Sequence, residues 1–142
     1  MATLSVAQKR TCLASCPLFA DLNPDTLGIL AETVVAEEFG QGEDVCLKGE
    51  PADCVYIIER GALDVFLPGR DQPVRRLVRH DVLGEYGMFT GLRTSSVRAA
   101  EPSVLLSIDY ERFRALMHQF PTIMAGLLEA AVERLTKAEM GR

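Results

Sequence analysis

The chain has 142 residues, 20 acids against 15 bases for a formal net charge of −5, and 48% apolar with 25% charged residues. It is long enough to bury a core without disulfide or metal staples, and its composition excludes a collagen-like, fibrous or disordered class. The acidic balance speaks against a nucleic-acid surface, which needs clustered Lys and Arg, and no apolar run approaches the roughly 18 to 20 residues of a membrane span.

In chain order, the N-terminal "MATLSVAQKRTCLASC" lacks the basic-then-apolar order of a signal peptide, so a cytoplasmic location is expected, with the cytosolic part of a membrane protein as the other setting. "SVAQKRTCLASCPLF" reads as a helical piece ending before Pro17. "LNPDTLGILAETV" opens with Asn23 as N-cap, Pro24 at the first helical position and Asp25 in the first turn, and then places Leu27, Leu30, Ala31 and Val34 at helical spacing. From about Val35 to Ile108 the period changes. Short runs rich in Val, Ile, Tyr and Phe ("VVAEEF", "CVYIIE", "LDVFL", "VRRLV", "SVLLSI") alternate with Gly, Pro and Asp, the mark of an all-β sandwich or barrel. About eight strands are expected, the number of a jelly roll, with "LPGRDQPV" as a hairpin loop. The basic residues Arg75, Arg76 and Arg79 are expected on a solvated strand face. After Ile108, Asp109 can cap a helix through Tyr110, Phe113, Leu116 and Met117; "HQFP" breaks it, and a longer helix runs from Pro121 to about Glu139. Its stripe of Met124, Leu128, Ala131 and Leu135 is expected to pack on the core. One domain spanning 1–142 is the expectation: helices over about 5–34, strands over about 35–108, helices over about 109–139.

Cys12, Cys16, Cys46 and Cys54 form no C-x-x-C pair and lie far from His80 and His118, so they read as structural thiols in a reducing compartment and no metal is expected. His118 falls at the end of a helix, where an imidazole suits the last carbonyls. No catalytic set is visible either: the G-x-S-x-G and H-E-x-x-H motifs are absent and neither histidine has a neighbouring partner. A binding module, not an enzyme, is expected.

The chemistry concentrates in "GEYGMFTGLRTSSVRA". Gly84, Gly87 and Gly91 allow sharp turns that present several N–H groups to one anion, yet their spacing matches neither the dinucleotide fingerprint nor a P-loop. Arg93 supplies a planar fork for phosphate oxygens. Glu85 would repel that phosphate unless it accepts from another part of the ligand, for which a ribose hydroxyl is the natural donor. A 3',5'-cyclic nucleotide carries both groups on adjacent atoms. The other reading is that the glycines only make turns and Glu85 pairs with an arginine on the surface.

The stretch resembles the phosphate-binding cassette of the cyclic nucleotide-binding domain family, F-G-E-(apolar)-(Ala/Gly)-(apolar) followed by R-(Ser/Thr/Ala)-(Ala/Ser)-(Ser/Thr)-V. Here the pattern reads Leu83-Gly84-Glu85-Tyr86-Gly87-Met88, then Arg93-Thr94-Ser95-Ser96-Val97. "PLFADLNPDTLGILA", "FGQGEDVCLKGEPADCVYIIERGALDV" and "SIDYERFRALMHQFP" extend the similarity over nearly the whole chain. The resemblance implies an eight-stranded β-roll, a jelly-roll-like double-stranded helix of strands, with N-terminal helices and two C-terminal helices. It implies Arg93 on the cyclic phosphate, Glu85 on the ribose 2'-hydroxyl, backbone N–H groups of Gly84, Gly87 and Thr94 completing the cradle, and Tyr86 and Ser95 beside them. Thr94 stands where a hydroxyl can meet the phosphate or a guanine edge. cAMP is favoured as the ligand by the resemblance, with cGMP the other choice. Three departures stand out: His80 where the family has glycine, Leu83 where it has phenylalanine, and a shortened turn before Arg93 that could pull it out of register, which bears on affinity more than on fold.

By the same resemblance a hinge at "HQFP" lets the last helix swing over the mouth of the roll, where Arg134, or else Leu135 or Leu128, caps the purine. The implied partner is an effector domain or protein such as a channel, transporter or signalling enzyme, and a homo-oligomer is compatible with it. A DNA-reading segment of the catabolite-activator type would need roughly 60 to 70 residues beyond the last helix, so a regulatory piece of a larger protein or a free-standing domain is expected. Two alternatives remain at this point. A degenerate member would serve as an interaction or dimerisation module without ligand; a cupin-type metal enzyme would need more inward histidines than two.

Overall fold

The computed structural model describes residues 4–140, the side chains at 134 and 137–140 lying outside the description. Helix α1 (Val6–Ser15) starts in a capping box: Ser5 Oγ accepts from the Gln8 amide and Gln8 Oε1 accepts from the Ser5 amide. One 3-10 turn, Pro17–Phe19, leads to α2 (Pro24–Thr33), whose Asn23 cap accepts from the Thr26 amide at 2.8 Å as the sequence predicts.

Eight strands follow: β1 (Val35–Phe39), β2 (Asp44–Cys46), β3 (Cys54–Arg60), β4 (Leu63–Phe66), β5 (Arg75–Leu77), β6 (Val82–Leu83), β7 (Ser96–Ala99) and β8 (Ser103–Asp109). They form two antiparallel four-stranded sheets, ordered β1-β8-β3-β6 and β2-β7-β4-β5. A one-turn helix α3 (Gly87–Thr90) interrupts β6 and β7, and α4 (Tyr110–Gln119) and α5 (Pro121–Met140) close the chain. This is the β-roll with flanking helices that the resemblance implies.

Strand β3 explains how roll and helices are joined. Its run "CVYIIER" is buried on both faces, as expected for a strand sandwiched between two layers. Val55 and Ile57 belong to the core shared with α1, α2 and α4, while Tyr56 and Ile58 belong to the core inside the roll. Helix α4 is capped by Asp109, which accepts from the Arg112 amide at 2.8 Å, and it buries Tyr110, Phe113, Leu116 and Met117.

The last helix departs from expectation. Met124, Leu128 and Leu135 are exposed, and the residues that pack are Ile123 and Leu127, at 1% and 6% exposure. Gly126 lies on the same side, where a Cβ would stand 3.4 Å from Leu18 Cδ1. The sequence therefore identifies an apolar stripe correctly but assigns it to the wrong side of the helix.

Candidate functional site

The stretch 84–97 wraps around one end of the roll. Gly84 has φ +89°, a backbone conformation that a side chain resists, and an added Cβ would collide with Arg93 Nη1 and lie 3.2 Å from the Cys54 carbonyl. The glycine thus lets the backbone pass directly over the guanidinium. Gly87 serves closeness of another kind: a Cβ there would lie 2.6 Å from the Tyr110 hydroxyl and 3.1 Å from the Leu92 carbonyl. Its amide closes a turn onto the Gly84 carbonyl at 3.3 Å, so the expected contribution of that N–H to an anion cradle is replaced by a packing role.

Glu85 and Arg93 are both buried, at 5% and 7% exposure, which rules out the surface-pair reading. They line one cavity, together with Gly84, Tyr86, Thr94 and Ser95. Its enclosed part is narrow, about 40 Å³. The shortened turn has not moved Arg93 away from Glu85; the Arg93 amide donates to the Glu50 carbonyl at 2.8 Å and its carbonyl accepts from Gly49 at 2.9 Å, which fixes the register. Gly87 is not among the residues lining the cavity, and the side chain of Arg134 lies outside the described residues. Leu128 and Leu135 are 64% and 66% exposed, and Leu127 instead lines an adjoining slot beneath α5.

Arg93 is held from behind. Its Nη1 donates to the Cys54 carbonyl at 2.9 Å and to the Tyr110 hydroxyl at 3.4 Å, and its Nη2 donates to Cys54 Sγ at 3.3 Å. The Tyr110 hydroxyl in turn donates to the Gly84 carbonyl at 2.7 Å, and the guanidinium carbon sits 5.4 Å from the Tyr56 ring centroid. Of the five N–H donors of an arginine, these bonds use both on Nη1 and one on Nη2. Nε–H and the second Nη2–H, one straight edge of the fork, have no protein partner among the described residues. That edge can take two oxygens of one anion.

The charges suit an anion. Burial is the largest single influence on Arg93 and opposes its charge, but the bond to Cys54 together with the electrostatic influence of Cys54, Tyr110 and Cys46 outweighs it and holds the guanidinium above its already high value. Burial pushes the Cys46 and Cys54 thiols up, so both stay neutral at pH 7 beside a permanent cation. Burial likewise raises Tyr110, which keeps its hydroxyl a donor toward Gly84.

Several members of this arrangement were not visible in the sequence. Cys54, Tyr110 and Tyr56 come from β3 and the start of α4, and their apolar context gave no sign that they grip an arginine. Arg75 lines the cavity too; it is half-buried, whereas Arg76 and Arg79 are exposed as expected. Among the described residues no group of three or more His, Cys, Asp or Glu is placed to hold a metal ion, and no helix is long and apolar enough to cross a membrane.

Known proteins share this frame. The regulatory domain of Toxoplasma gondii protein kinase A, solved with cAMP, superposes with a TM-score of 0.79 at 22% identity, covering 90% of this chain and 50% of that one. The human potassium/sodium hyperpolarization-activated cyclic nucleotide-gated channel 3 is 32% identical over 130 residues, 90% of this chain and 16% of the channel. The cAMP-dependent protein kinase regulatory subunit of Emericella nidulans is 28% identical over 113 residues, 79% of this chain and 27% of that protein. The chain thus spans about a quarter or less of these two relatives. The sequence model described as "Cyclic nucleotide-binding domain" matches residues 36–120, which run from β1 through the end of α4. With that match over more than half its length, the chain belongs to the cyclic nucleotide-binding domain family.

Proposed function

We propose that the domain binds a 3',5'-cyclic nucleotide, cAMP or cGMP, in the cavity between Glu85 and Arg93, and that binding moves α5 to signal to an attached or partner effector. The observation that carries this reading is that an acid and a base, Glu85 and Arg93, are both buried and line one cavity. The free edge of Arg93 suits the cyclic phosphate. Glu85 suits the neighbouring 2'-hydroxyl, and Gly84, Tyr86, Thr94 and Ser95 line the wall around both.

A route for the signal is supported by bonds between cassette and C-terminal helices. The Tyr86 hydroxyl donates to the Leu127 carbonyl of α5 at 3.5 Å, and Arg114 of α4 donates to the Met88 carbonyl of α3 at 2.9 Å. A ligand that pulls the cassette inward acts on both helices through these contacts, and it shifts their arrangement by its differential affinity for the two states. Arg134 would then cap the base. The effector proposed is a channel, transporter or signalling enzyme; the gated channel and the protein kinase regulatory subunit among the relatives support the first and last of these.

Calorimetric titration of the purified chain with cAMP and cGMP tests the reading. Saturable binding is expected, and Arg93→Ala should weaken it by about 2 kcal/mol or more, as for loss of charge-assisted bonds in a desolvated site. No heat at high micromolar ligand would assign the chain to a degenerate fold acting through protein contacts; unchanged affinity in the variant would move the ligand to another site.

A further inference from the structure

We propose that the Cys54 thiol is a positioning residue of the anion site: its sulfur, acting through Arg93, decides which edge of the guanidinium faces the ligand and leaves that edge its full charge. This inference rests on the cyclic-nucleotide reading above and names a determinant of affinity within it.

A guanidinium has two edges that can each take a pair of acceptors, the outer one shared by Nη1 and Nη2 and the side one shared by Nη2 and Nε. Cys54 takes the outer edge with two of its own atoms: Arg93 Nη1 donates to its carbonyl oxygen at 2.9 Å and Nη2 to its Sγ at 3.3 Å. Two acceptors on one residue of β3 fix both the plane and the direction of the fork. The side edge is what remains for an anion. The carbonyl alone would hold one corner, and a buried N–H of the cation would then turn the fork toward any other acceptor in reach. Cys54 exerts this hold from outside the proposed ligand site. It is not among the residues lining the Glu85–Arg93 cavity; it lines a separate cavity of about 340 Å³ with Glu37, Tyr56, Ser107 and Asp109. Its effect on a ligand therefore passes through Arg93.

The choice of sulfur also matters for charge. Cys54 is half-buried, and burial pushes its thiol up, so the acceptor is neutral. A carboxylate at the same place would pair with the guanidinium as an ion and compete with a phosphate for it. An apolar side chain would offer the N–H nothing. A thiol is a weak acceptor, strong enough to satisfy one N–H and too weak to neutralise the cation.

Three substitutions separate these roles, read by titration of the 142-residue chain with cAMP and cGMP. Cys54→Ser keeps a neutral acceptor and should bind within about threefold of wild type, whereas Cys54→Val lacks one and should bind about tenfold more weakly, the worth of one hydrogen bond to a charged group. Cys54→Asp should weaken binding further. Stability should run the other way, because valine suits a strand better than serine: denaturant midpoints should place Cys54→Val at or above Cys54→Ser. A purely structural role would make affinity follow stability. The nitrogen–proton spectrum of the arginine side chains supplies a readout without ligand. Arg93, assigned by Arg93→Lys, should show separate Nη–H signals in wild type and Cys54→Ser, and its Nη2 pair should merge in Cys54→Val as rotation is freed. Cys54→Val affinity equal to wild type, affinities in the order of stability, or Arg93 signals unchanged by Cys54→Val would each overturn the role of Cys54 while leaving cyclic-nucleotide binding intact. No binding of either nucleotide by the wild-type chain would overturn the underlying reading, and the Arg93 signals then decide the anchoring by Cys54 on their own.

Discussion

Helices α4 and α5 are neighbours in sequence and differ in how they are held. Every apolar residue on the inner face of α4 is buried: Tyr110, Phe113, Leu116 and Met117. Its first residue also braces the site, since the Tyr110 hydroxyl bonds both Arg93 and the Gly84 carbonyl. Helix α5 is twice as long, 20 residues against 10, yet among its described side chains Ile123 and Leu127 are the buried apolar ones, while Met124, Leu128, Val132 and Leu135 face outward. Apolar burial is the main stabilising force, at about 25 cal/mol per Å², so the contact holding α5 is weak beyond its second turn. The fold therefore presents a fixed wall and a loosely attached cover on two sides of one cavity.

The strongest way to break the fixed side is Phe113→Ala. Phe113 is fully buried and meets Phe19 edge-on at 6.4 Å between centroids, so truncation should cost about 3–5 kcal/mol of global stability. Denaturant midpoints check this, and a loss under about 1 kcal/mol would mean that α4 is not the anchor. Gly84→Ala comes next. It forces a side chain into a left-handed conformation, at about 1–2 kcal/mol, and drives a methyl into the Arg93 fork. Stability should fall by that amount, and nucleotide affinity should fall more than stability, because the displaced fork is the anion contact. Affinity equal to wild type would show that the guanidinium tolerates displacement.

The same contrast shows what was legible in the sequence. Helix α4 was readable residue by residue because its cap, period and terminator agree, and one apolar face leaves one way to pack. Helix α5 carries apolar or small residues on two adjacent stripes, Ile123–Leu127–Ala130 and Met124–Leu128–Ala131–Leu135. Periodicity cannot choose between such stripes; only the folded structure, which buries Ile123 and Leu127, does. Glu85 and Arg93 were legible through their local motif. Their supports were not, since Cys54 lies 39 positions and Tyr110 17 positions from Arg93, and only the folded roll brings them together. Arg75 was lost for a third reason: in a three-residue strand, alternation is too short to separate an inward arginine from the outward one beside it.

The cover can be probed with two adjacent leucines. Leu127→Ala removes one of the two buried apolar anchors among the described side chains of α5 and should cost about 2–3 kcal/mol locally, seen as faster amide exchange along α5 with α4 and the strands still protected. Leu128→Ala, at a position 64% exposed, should change stability by no more than about 0.5 kcal/mol and leave exchange as it was. Equal effects of the two would mean that both stripes are covered and that α5 is as fixed as α4.

A small gain in stability, opposite in sign to the losses above, is expected at the turn between β5 and β6, on the fixed side facing the cover. His80 lines the slot beneath α5 and has φ +72°, the single non-glycine residue with positive φ among those described. The conformation is enforced from both sides. The His80 amide donates to the Ile58 carbonyl at 2.8 Å, the Ile58 amide donates to the Asp81 carbonyl at 3.0 Å, and Asp81 Oδ2 accepts from the Val78 amide at 2.7 Å. A left-handed residue with a Cβ costs about 1–2 kcal/mol, and glycine removes that cost while adding about 0.5–1 kcal/mol of unfolded-state entropy. His80→Gly should therefore raise the urea midpoint slightly, by less than about 1 kcal/mol in stability, with an unchanged denaturant slope. A lower midpoint would show that the imidazole makes packing contacts worth more than the strain of its backbone, and that the rim of the slot is held by its side chains as well as by its turn.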